Sequence, residues 1–403
     1  MSPARAIVRQ LPARSTHGSS KPRHLPRPAR VAVVCPVLAN YDAIAASARD
    51  TYRVLSRQSG FQVEVLTLRN DYSDVPASIV SGLADLLLHP AFQAADVIIY
   101  HFGIYCDLFD ALIAAQGRAL QVVRFHNITP AVYAAQKDRE RIERSFVQVH
   151  NLEYADEVWA DSCVNAETLV SLGVDRNRIQ VIPLAVEEPA LRNLCDKSPN
   201  PLNLLFVGRF VQSKGVLDLV EAVDTVHGLC RVPFRLRLAG NMEWSDPAYV
   251  KRVKESVEAR NLGSIVEMLG TVNSDALQNL YHTSHILVIP SYHEGFCRPV
   301  IEALRAGCIP IGYSAYNLPT ISNGLGRMVP TGDTQALSAA LQELMEGIAQ
   351  SFDAPETPLI RLDRGQTSVR GFDCAAREYV QVFTLDRIAS ATLERIRVLC
   401  ADS

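Results

Sequence analysis

The segment HILVIPSYHEGFCRPVIEALRAGCIPIGY, residues 285–313, carries the pattern that decides the fold. Its apolar run before Pro290 predicts a buried strand, and Pro299 predicts the first turn of a helix, where proline is well tolerated. A second apolar run then predicts another strand. This order places Glu294 in the loop after the first strand and Glu302 on the first helical turn.

The same alternation of strand and helix patterns extends in both directions. Short apolar or β-branched runs are separated by helical patterns, which predicts parallel sheets covered by helices. The predicted strands are residues 30–36, 61–68, 97–100, 121–125, 157–160 and 179–184, followed by 203–207, 235–239, 265–269, 285–289 and 308–311.

The stretch EEPALRNLCDKSPNP, residues 187–201, interrupts this alternation with three prolines and predicts a domain linker. We therefore expect an α/β chain with two Rossmann-like, doubly wound domains that face a cleft. The N-terminal domain is expected at residues 30–190 and the C-terminal one at 200–370. The pattern of residues 351–371 is irregular, and helices at 372–398 are expected to return to the N-terminal domain.

Composition limits the classes of function. The chain has 403 residues, 48% of them hydrophobic and 21% charged, and its net charge of −3 argues against a nucleic-acid partner. No apolar run approaches the roughly 20 residues that cross a membrane, and no signal-peptide core is present. The nine cysteines occur singly, without zinc-ligand spacing. We expect a cytoplasmic protein with no metal site.

The first 29 residues form a basic, proline-rich tail without an acidic residue, a composition that predicts disorder. In one interpretation the tail binds anionic lipid at the inner face of the plasma membrane, because each basic residue near such a surface contributes about 1 kcal/mol. In the other, the tail is solvated and has no function.

A strand-to-helix loop at residues 203–223 (NLLFVGRFVQSKGVLDLVEAV) holds two cations, Arg209 and Lys214, before a turn at Gly215. The N-terminus of a helix favours phosphate, so the two cations are suited to a diphosphate. Cations in such loops are also commonly just solvated, and the spacing alone does not decide between the two interpretations.

The loop at residues 290–299 adds two carboxylates to the C-terminal domain. Glu294 can accept hydrogen bonds from sugar hydroxyls, Gly295 allows the backbone to approach a ligand, and Glu302 can hold a ribose diol. The alternative is an exposed loop glutamate and a second glutamate that only complements a helix dipole.

The segment QVVRFHNITP, residues 121–130, predicts a strand that ends at His126, with Thr129 as an N-cap and Pro130 opening a helix. His126 is then expected to point off the carboxyl edge of the N-terminal sheet, towards the cleft. There it could bind a sugar hydroxyl, although a lone histidine is more often a structural group.

Together these motifs, with GRMVPTGDTQAL at residues 326–337, resemble the family-4 retaining glycosyltransferases of the GT-B fold. The resemblance implies that Arg209 and Lys214 hold the donor diphosphate. It implies that Glu294, with the backbone of Gly295 and Phe296, contacts the donor sugar, that Glu302 contacts the ribose, and that His126 matches the histidine beside the transferred sugar. Two loops depart from the family: CPVLANYDAIAAS after the first strand and residues 314–318.

The resemblance implies a retaining hexosyltransferase that uses a nucleotide-sugar donor and a glycan or lipid-linked acceptor, with neither metal nor cofactor. The HNITP segment resembles that of bacterial members that extend cell-surface polysaccharides, and mannose is the leading expectation for the sugar. A sugar-nucleotide epimerase, a phosphorylase and a non-catalytic sugar-nucleotide sensor are the alternatives. A dehydrogenase is disfavoured because no GxGxxG follows a strand at the start of either domain.

Overall fold

Two sheets, each flanked by helices, organise the chain. The structure is a computed structural model that describes residues 28–134 and 138–402. Within these residues the chain divides into an N-terminal unit (28–131, 138–185 and 384–402) and a C-terminal unit (132–134 and 186–383). Apart from its last two residues, the predicted basic tail lies outside the described residues.

The N-terminal unit is built on parallel strands with buried, mostly apolar side chains. Its strands are β1 (Ala29–Val34), β2 (Phe61–Thr67), β3 (Ala77–Ile79), β4 (Val97–Phe102), β5 (Leu120–Phe125), β6 (Glu157–Ala160) and β7 (Ile179–Val181). Its helices include α1 (Ala43–Ser56), α2 (Leu83–Leu88), α3 (Pro90–Gln93), α4 (Ala111–Ala114), α5 (Arg139–Gln148) and α6 (Cys163–Ser171). Among the described residues, the strands form one sheet in the order β3-β2-β1-β4-β5-β6-β7.

The C-terminal unit repeats this arrangement. Its main strands are β8 (Leu202–Val207), β9 (Phe234–Ala239), β10 (Val266–Gly270), β11 (Ile286–Ile289), β12 (Ile309–Tyr313) and β13 (Arg327–Val329). Its helices are α7 (Val216–Leu229), α8 (Pro247–Ala259), α9 (Ser274–Thr283), α10 (Arg298–Arg305), α11 (Leu318–Ser322), α12 (Thr334–Ser351) and α13 (Val369–Val380). Within the described residues the sheet order is β10-β9-β8-β11-β12-β13.

Both sheets are doubly wound, as predicted. In each one the order of strands along the chain reverses beside the first strand: between β1 and β4 in the N-terminal unit, and between β8 and β11 in the C-terminal unit. Ligands of open α/β sheets bind beyond the carboxyl ends of the strands at this switch point. The loops after β8 and β11 are therefore the first place to look for a site.

The last helix, α14 (Leu385–Asp402), belongs to the N-terminal unit, whereas α13 packs within the C-terminal unit. Ile396 of α14 is fully buried in the same hydrophobic core as Val31 and Val33 of β1. None of the helices in residues 28–134 and 138–402 is long and apolar enough to cross a bilayer.

Three local predictions were wrong. No helix starts at Pro130; instead, a 3₁₀ turn covers Ala131–Tyr133, and α5 begins later. The irregular stretch 351–371 contains an antiparallel hairpin of β14 (Ile360–Leu362) and β15 (Gly365–Thr367). Helix α10 begins one residue before Pro299, so Glu302 lies on its second turn. Three-residue strands are too short to produce a recognisable periodicity.

A buried histidine joins the linker to the C-terminal sheet. His285 Nδ1 accepts from the backbone N–H of Asn203 at 3.0 Å, and its Nε2 donates to the carbonyl of Ser198 at 2.8 Å. This pair of contacts requires a neutral ring. Burial, assisted by the charge of Lys197, lowers the pKa of His285 from 6.5 to about 4.

Candidate functional site

The loop after β8 is held tightly against the loop after β11. It passes through a 3₁₀ turn, Gln212–Lys214, to Gly215, which precedes α7. Gly215 has a φ of 61°, and a Cβ atom there would lie 2.0 Å from the carbonyl oxygen of Pro290. The N–H of Tyr292 donates to the carbonyl of Ser213 at 2.8 Å. Only glycine permits this close approach of the two loops.

Lys214 and Glu294 form an ion pair where these loops meet. Lys214 Nζ donates to Glu294 Oε1 at 2.6 Å, and the side chains are 19% and 11% exposed. Charge-assisted hydrogen bonds of this kind are stronger than those between neutral groups. Arg209, in the same loop as Lys214, is exposed. The structure thus places Lys214 and Glu294 in contact and leaves Arg209 at the surface.

The N-terminus of α7 lies beside this ion pair, directly after Gly215. Among the described residues, no side chain caps this end of the helix. The first N–H groups of a helix and its positive dipole end attract anions. Lys214, Arg209 and the start of α7 therefore form a positively polarised region at the switch point of the C-terminal sheet.

The backbone of the Glu294 loop is fixed by Asn317, a buried residue that the sequence analysis did not single out. The side-chain amide of Asn317 donates to the carbonyl of Phe296 at 3.1 Å, and the backbone N–H of Asn317 donates to the carbonyl of Glu294 at 3.4 Å. Phe296 is buried, and its ring packs edge-on against Phe383. Asn317 belongs to the loop that departs from the family pattern, and it stabilises the segment containing Gly295.

Asp218 on the first turn of α7 provides a second clamp. Its Oδ2 accepts from the hydroxyl of Tyr292 at 2.6 Å and from that of Tyr313 at 2.7 Å. Tyr292 lies in the Glu294 loop, and Tyr313 ends β12. The carboxylate thereby joins α7, the Glu294 loop and β12. In the sequence, the one sign of this contact was that Tyr292 follows a strand and Tyr313 ends one.

Glu302 projects from α10 towards α9. Its Oε2 accepts from the hydroxyl of Tyr281 at 2.7 Å, and Arg298 Nε lies 3.8 Å from its Oε1. Burial raises the pKa of Glu302, whereas Arg298 and the Tyr281 hydrogen bond oppose that shift. Glu302 thus lies on the predicted helix, one turn later than expected, and its tyrosine partner had no signal in the sequence.

Cys297, in the segment between Glu294 and Glu302, has an unusual backbone conformation and a buried thiol. It precedes α10 with φ and ψ both at 69°, a left-handed conformation that is unusual for a residue other than glycine. Burial raises the pKa of its thiol well above the ordinary value, and the charges of Glu294 and Glu302 add to the shift while Lys214 opposes it. One buried group thus experiences both carboxylates and the lysine.

His126 lies in the N-terminal unit, in a buried network rather than in an open position. Its Nδ1 lies 2.6 Å from Asp161 Oδ2 and its Nε2 lies 3.0 Å from Nδ1 of His101, and its side chain is 3% exposed. Arg124 Nε also donates to Asp161, at 3.1 Å. Both ring nitrogens of His126 therefore have protein partners, and its expected contact with a sugar hydroxyl stays a prediction that would require a change of partner.

The partners of His126 come from neighbouring strands. His101 lies on β4, His126 follows β5 and Asp161 follows β6, and these strands are adjacent in the sheet. Burial holds the pKa of His101 well below its usual range, and the nearby His126 and Arg124 act in the same direction. The sequence contained these polar strand ends, but the strand order that brings them together was not known.

Comparison with known proteins identifies the C-terminal unit. Residues 191–351 match the family described as glycosyl transferases group 1. The C-terminal unit is therefore similar to the group 1 glycosyltransferases over most of its length. The matched region contains Arg209, Lys214, Glu294 and Glu302, so all the candidate residues of the C-terminal unit lie within it.

Two of the relatives are named for the synthesis of bacterial polysaccharides. The chain is 25% identical to an O-antigen chain mannosyltransferase B of Escherichia coli over 142 residues, which is 35% of this chain and 36% of the relative. It is 24% identical to an amylovoran biosynthesis glycosyltransferase of Erwinia amylovora over 276 residues, 64% of this chain and 63% of the relative. Both matches span less than two thirds of the relative's own length.

The fold of the whole chain is similar to that of solved glycosyltransferases. A sucrose-phosphate synthase from Thermosynechococcus elongatus superposes with a TM-score of 0.69 at 21% identity, covering 94% of this chain and 100% of that chain. The predicted GT-B fold is confirmed by this similarity.

Proposed function

We propose that the chain is a family-4 retaining glycosyltransferase that moves a hexose from a nucleoside diphosphate sugar to a glycan or lipid-linked acceptor. The observation that carries the proposal is the contact of Lys214 with Glu294 at the switch point of the unit that is similar to group 1 glycosyltransferases. A cation suited to phosphate and a carboxylate suited to sugar hydroxyls converge there, as a nucleotide sugar requires.

In this proposal the protein acts mainly through charge. As the donor bond breaks, negative charge grows on the departing diphosphate. Lys214, Arg209 and the N-terminus of α7 would stabilise that charge, which is the most effective use of preorganised donors. The departing phosphate can accept the proton of the acceptor hydroxyl on the same face of the sugar, which gives retention without a protein nucleophile. We propose that the reaction needs neither metal nor cofactor.

Glu294 and Glu302 divide the rest of the donor between them. Glu294, on a loop held by Asn317, would accept hydrogen bonds from hydroxyls of the transferred sugar, beside the backbone of Gly295 and Phe296. Glu302 would bind the ribose. His126 would contact the transferred sugar only if its Nε2 exchanged His101 for a sugar hydroxyl, because Asp161 and His101 hold its ring nitrogens in the structure.

Mannose is the hexose we propose, because an O-antigen mannosyltransferase is among the relatives. The relatives named for polysaccharide synthesis also support a glycan or lipid-linked acceptor in the synthesis of a cell-surface polysaccharide. A cytoplasmic location with peripheral membrane contact completes the proposal and rests on the basic residues 1–29. Deletion of residues 1–28 is expected to reduce the membrane-bound fraction, and an unchanged fraction would remove that part of the proposal.

The first test is a donor panel in the presence of EDTA. GDP-mannose, UDP-glucose, UDP-galactose and UDP-GlcNAc are offered, and release of nucleoside diphosphate is measured. We expect one donor to be used, and we expect Lys214→Ala and Glu294→Ala each to lower kcat by about 10²-fold or more. Glu267→Ala, which breaks only an exposed pair with Arg237, is the matched control.

The product distinguishes the alternatives. NMR of the product linkage should show the anomeric configuration of the donor. Isomerisation of the sugar nucleotide without an acceptor would instead identify an epimerase. Tight binding of one donor without turnover would identify a sensor.

A further inference from the structure

A buried tyrosine orients the carboxylate of Glu302. Tyr281, near the end of α9, is only 1% exposed, and its hydroxyl donates to Glu302 Oε2 at 2.7 Å. The side chain of Glu302 retains 18% exposure. One carboxylate oxygen is thus held from the protein interior, and the orientation of the other, Oε1, follows from that contact.

Tyr281 is itself firmly held. Its carbonyl oxygen accepts from Lys197 Nζ at 3.3 Å and from Cys308 Sγ at 3.1 Å. Lys197 also donates to the carbonyl of Ser284, so the end of α9 is fixed by a buried cation. A side chain that sets the angle of another must have little freedom of its own, and the Tyr281 side chain meets that condition because it is buried and its backbone is fixed.

We propose that Tyr281 is a positioning residue that fixes Glu302 to accept hydrogen bonds from the vicinal hydroxyls of a ribose. The inference rests on the proposed function and adds to it the residue that sets discrimination between ribose and deoxyribose. A diol can donate two hydrogen bonds to a carboxylate only if the plane of that carboxylate has one orientation. A glutamate with freely rotating torsions would lose part of that preference.

The identity of the partner also matters. Glu294 is paired with a lysine, so its charge is compensated, whereas Tyr281 is a neutral donor. Burial holds the pKa of Tyr281 well above its usual range, with the charge of Glu302 adding to the shift. The hydroxyl therefore remains a neutral donor, whereas the cation paired with Glu302, Arg298, lies farther away, with its Nε 3.8 Å from Oε1.

The test compares binding of a nucleoside diphosphate with binding of its 2′-deoxy and 3′-deoxy forms, by calorimetry, for UDP and for GDP. Wild type is expected to prefer the ribonucleotide by about tenfold or more, the contribution of a hydrogen bond to a charged group. Tyr281→Phe should lower this ratio towards one by weakening the ribonucleotide only. Glu302→Gln should lower it as well, and the double variant should lower it no further.

The matched control is Tyr379→Phe. Tyr379 is also a buried tyrosine of the C-terminal unit, and its hydroxyl donates to the carbonyl of Ile321 at 3.0 Å. This variant should keep the wild-type ratio, with a similar loss in thermal midpoint. If Tyr281→Phe weakens ribose and deoxyribose forms equally, Tyr281 is merely structural and the inference is overturned while the proposed function stands. If wild type binds no nucleoside diphosphate, both fall.

Discussion

The ion pair of Lys214 and Glu294 predicts that one charge-removing substitution will improve nucleotide binding while it impairs transfer. In the free protein the ammonium group already has a carboxylate at 2.6 Å. The diphosphate of a donor must compete for that group or bind next to its negative partner. Glu294→Gln removes this opposition, so we expect tighter binding of UDP or GDP.

The magnitude follows from the geometry. The exposed fractions of the two side chains, 19% and 11%, place the pair between a surface ion pair and a fully buried one. A hydrogen bond to a charged group contributes about 1.5–3 kcal/mol. Each 1.4 kcal/mol corresponds to a factor of about ten, so the dissociation constant should fall by about tenfold or more.

Calorimetry with UDP and GDP measures this effect in wild type, Glu294→Gln, Lys214→Met and the double variant. The gain from Glu294→Gln should shrink when Lys214 is absent, because the two groups then no longer compete. Glu267→Gln, at an exposed pair with N and O 3.6 Å apart, should leave binding unchanged. An unaltered dissociation constant in Glu294→Gln would refute the reasoning. If Glu294→Gln improved binding equally in the Lys214→Met background, repulsion between the Glu294 carboxylate and the diphosphate would explain the gain without competition for Lys214.

Three further predictions concern stability. The pKa of His285 is about 4 in the folded chain and 6.5 ordinarily, so on acidification the unfolded chain takes up a proton before the folded one. The free energy of unfolding should therefore fall from pH 6.5 towards pH 4 by up to about 1.4 kcal/mol per pH unit. In urea titrations His285→Gln should flatten this dependence, whereas the exposed His150→Gln should not. Cys297→Gly and Cys297→Ala both lose a buried side chain, and Cys297→Gly should have the higher thermal midpoint of the two because glycine relieves about 1 kcal/mol of backbone strain. In thermal unfolding, Gly215→Ala should lower stability because its Cβ atom would clash with Pro290. The control is Gly228→Ala in α7, where a Cβ atom meets open space, and it should stabilise the helix by about 0.5–1 kcal/mol.

The sequence analysis succeeded where function depends on the ends of strands. Lys214 follows β8 and Glu294 follows β11, and in a doubly wound sheet these ends meet at one edge. Their common location could therefore be predicted from strand order alone. Their direct ion pair could not, because it depends on the 3₁₀ turn that precedes Gly215 and on the approach of the loop to Pro290.

Sequence patterns do not reveal a polar side chain whose hydrogen-bond partner is distant in the chain. His126 looked available because the sequence does not show that His101 and Asp161 flank it from neighbouring strands. Asp218 and Tyr281 lie on helices, where a polar residue is usually solvated, and only the packed structure shows them bonded to buried groups. Periodicity reports which face of an element is buried and contains no information about the partner of a single polar atom.

The different partners of the two glutamates determine how a donor can be oriented in the C-terminal unit. Glu294 is neutralised by Lys214, so this pair together with Arg209 and α7 remains favourable for phosphate. Glu302 receives only a neutral hydroxyl at short distance, with Arg298 farther away at 3.8 Å, so it would repel phosphate and attract hydroxyl groups. Under the proposed function, a nucleotide sugar with its diphosphate at Lys214 would have its ribose directed to Glu302 by charge. Exchanging the partners would remove this distinction, which is why the neutral tyrosine is as important to the arrangement as the lysine.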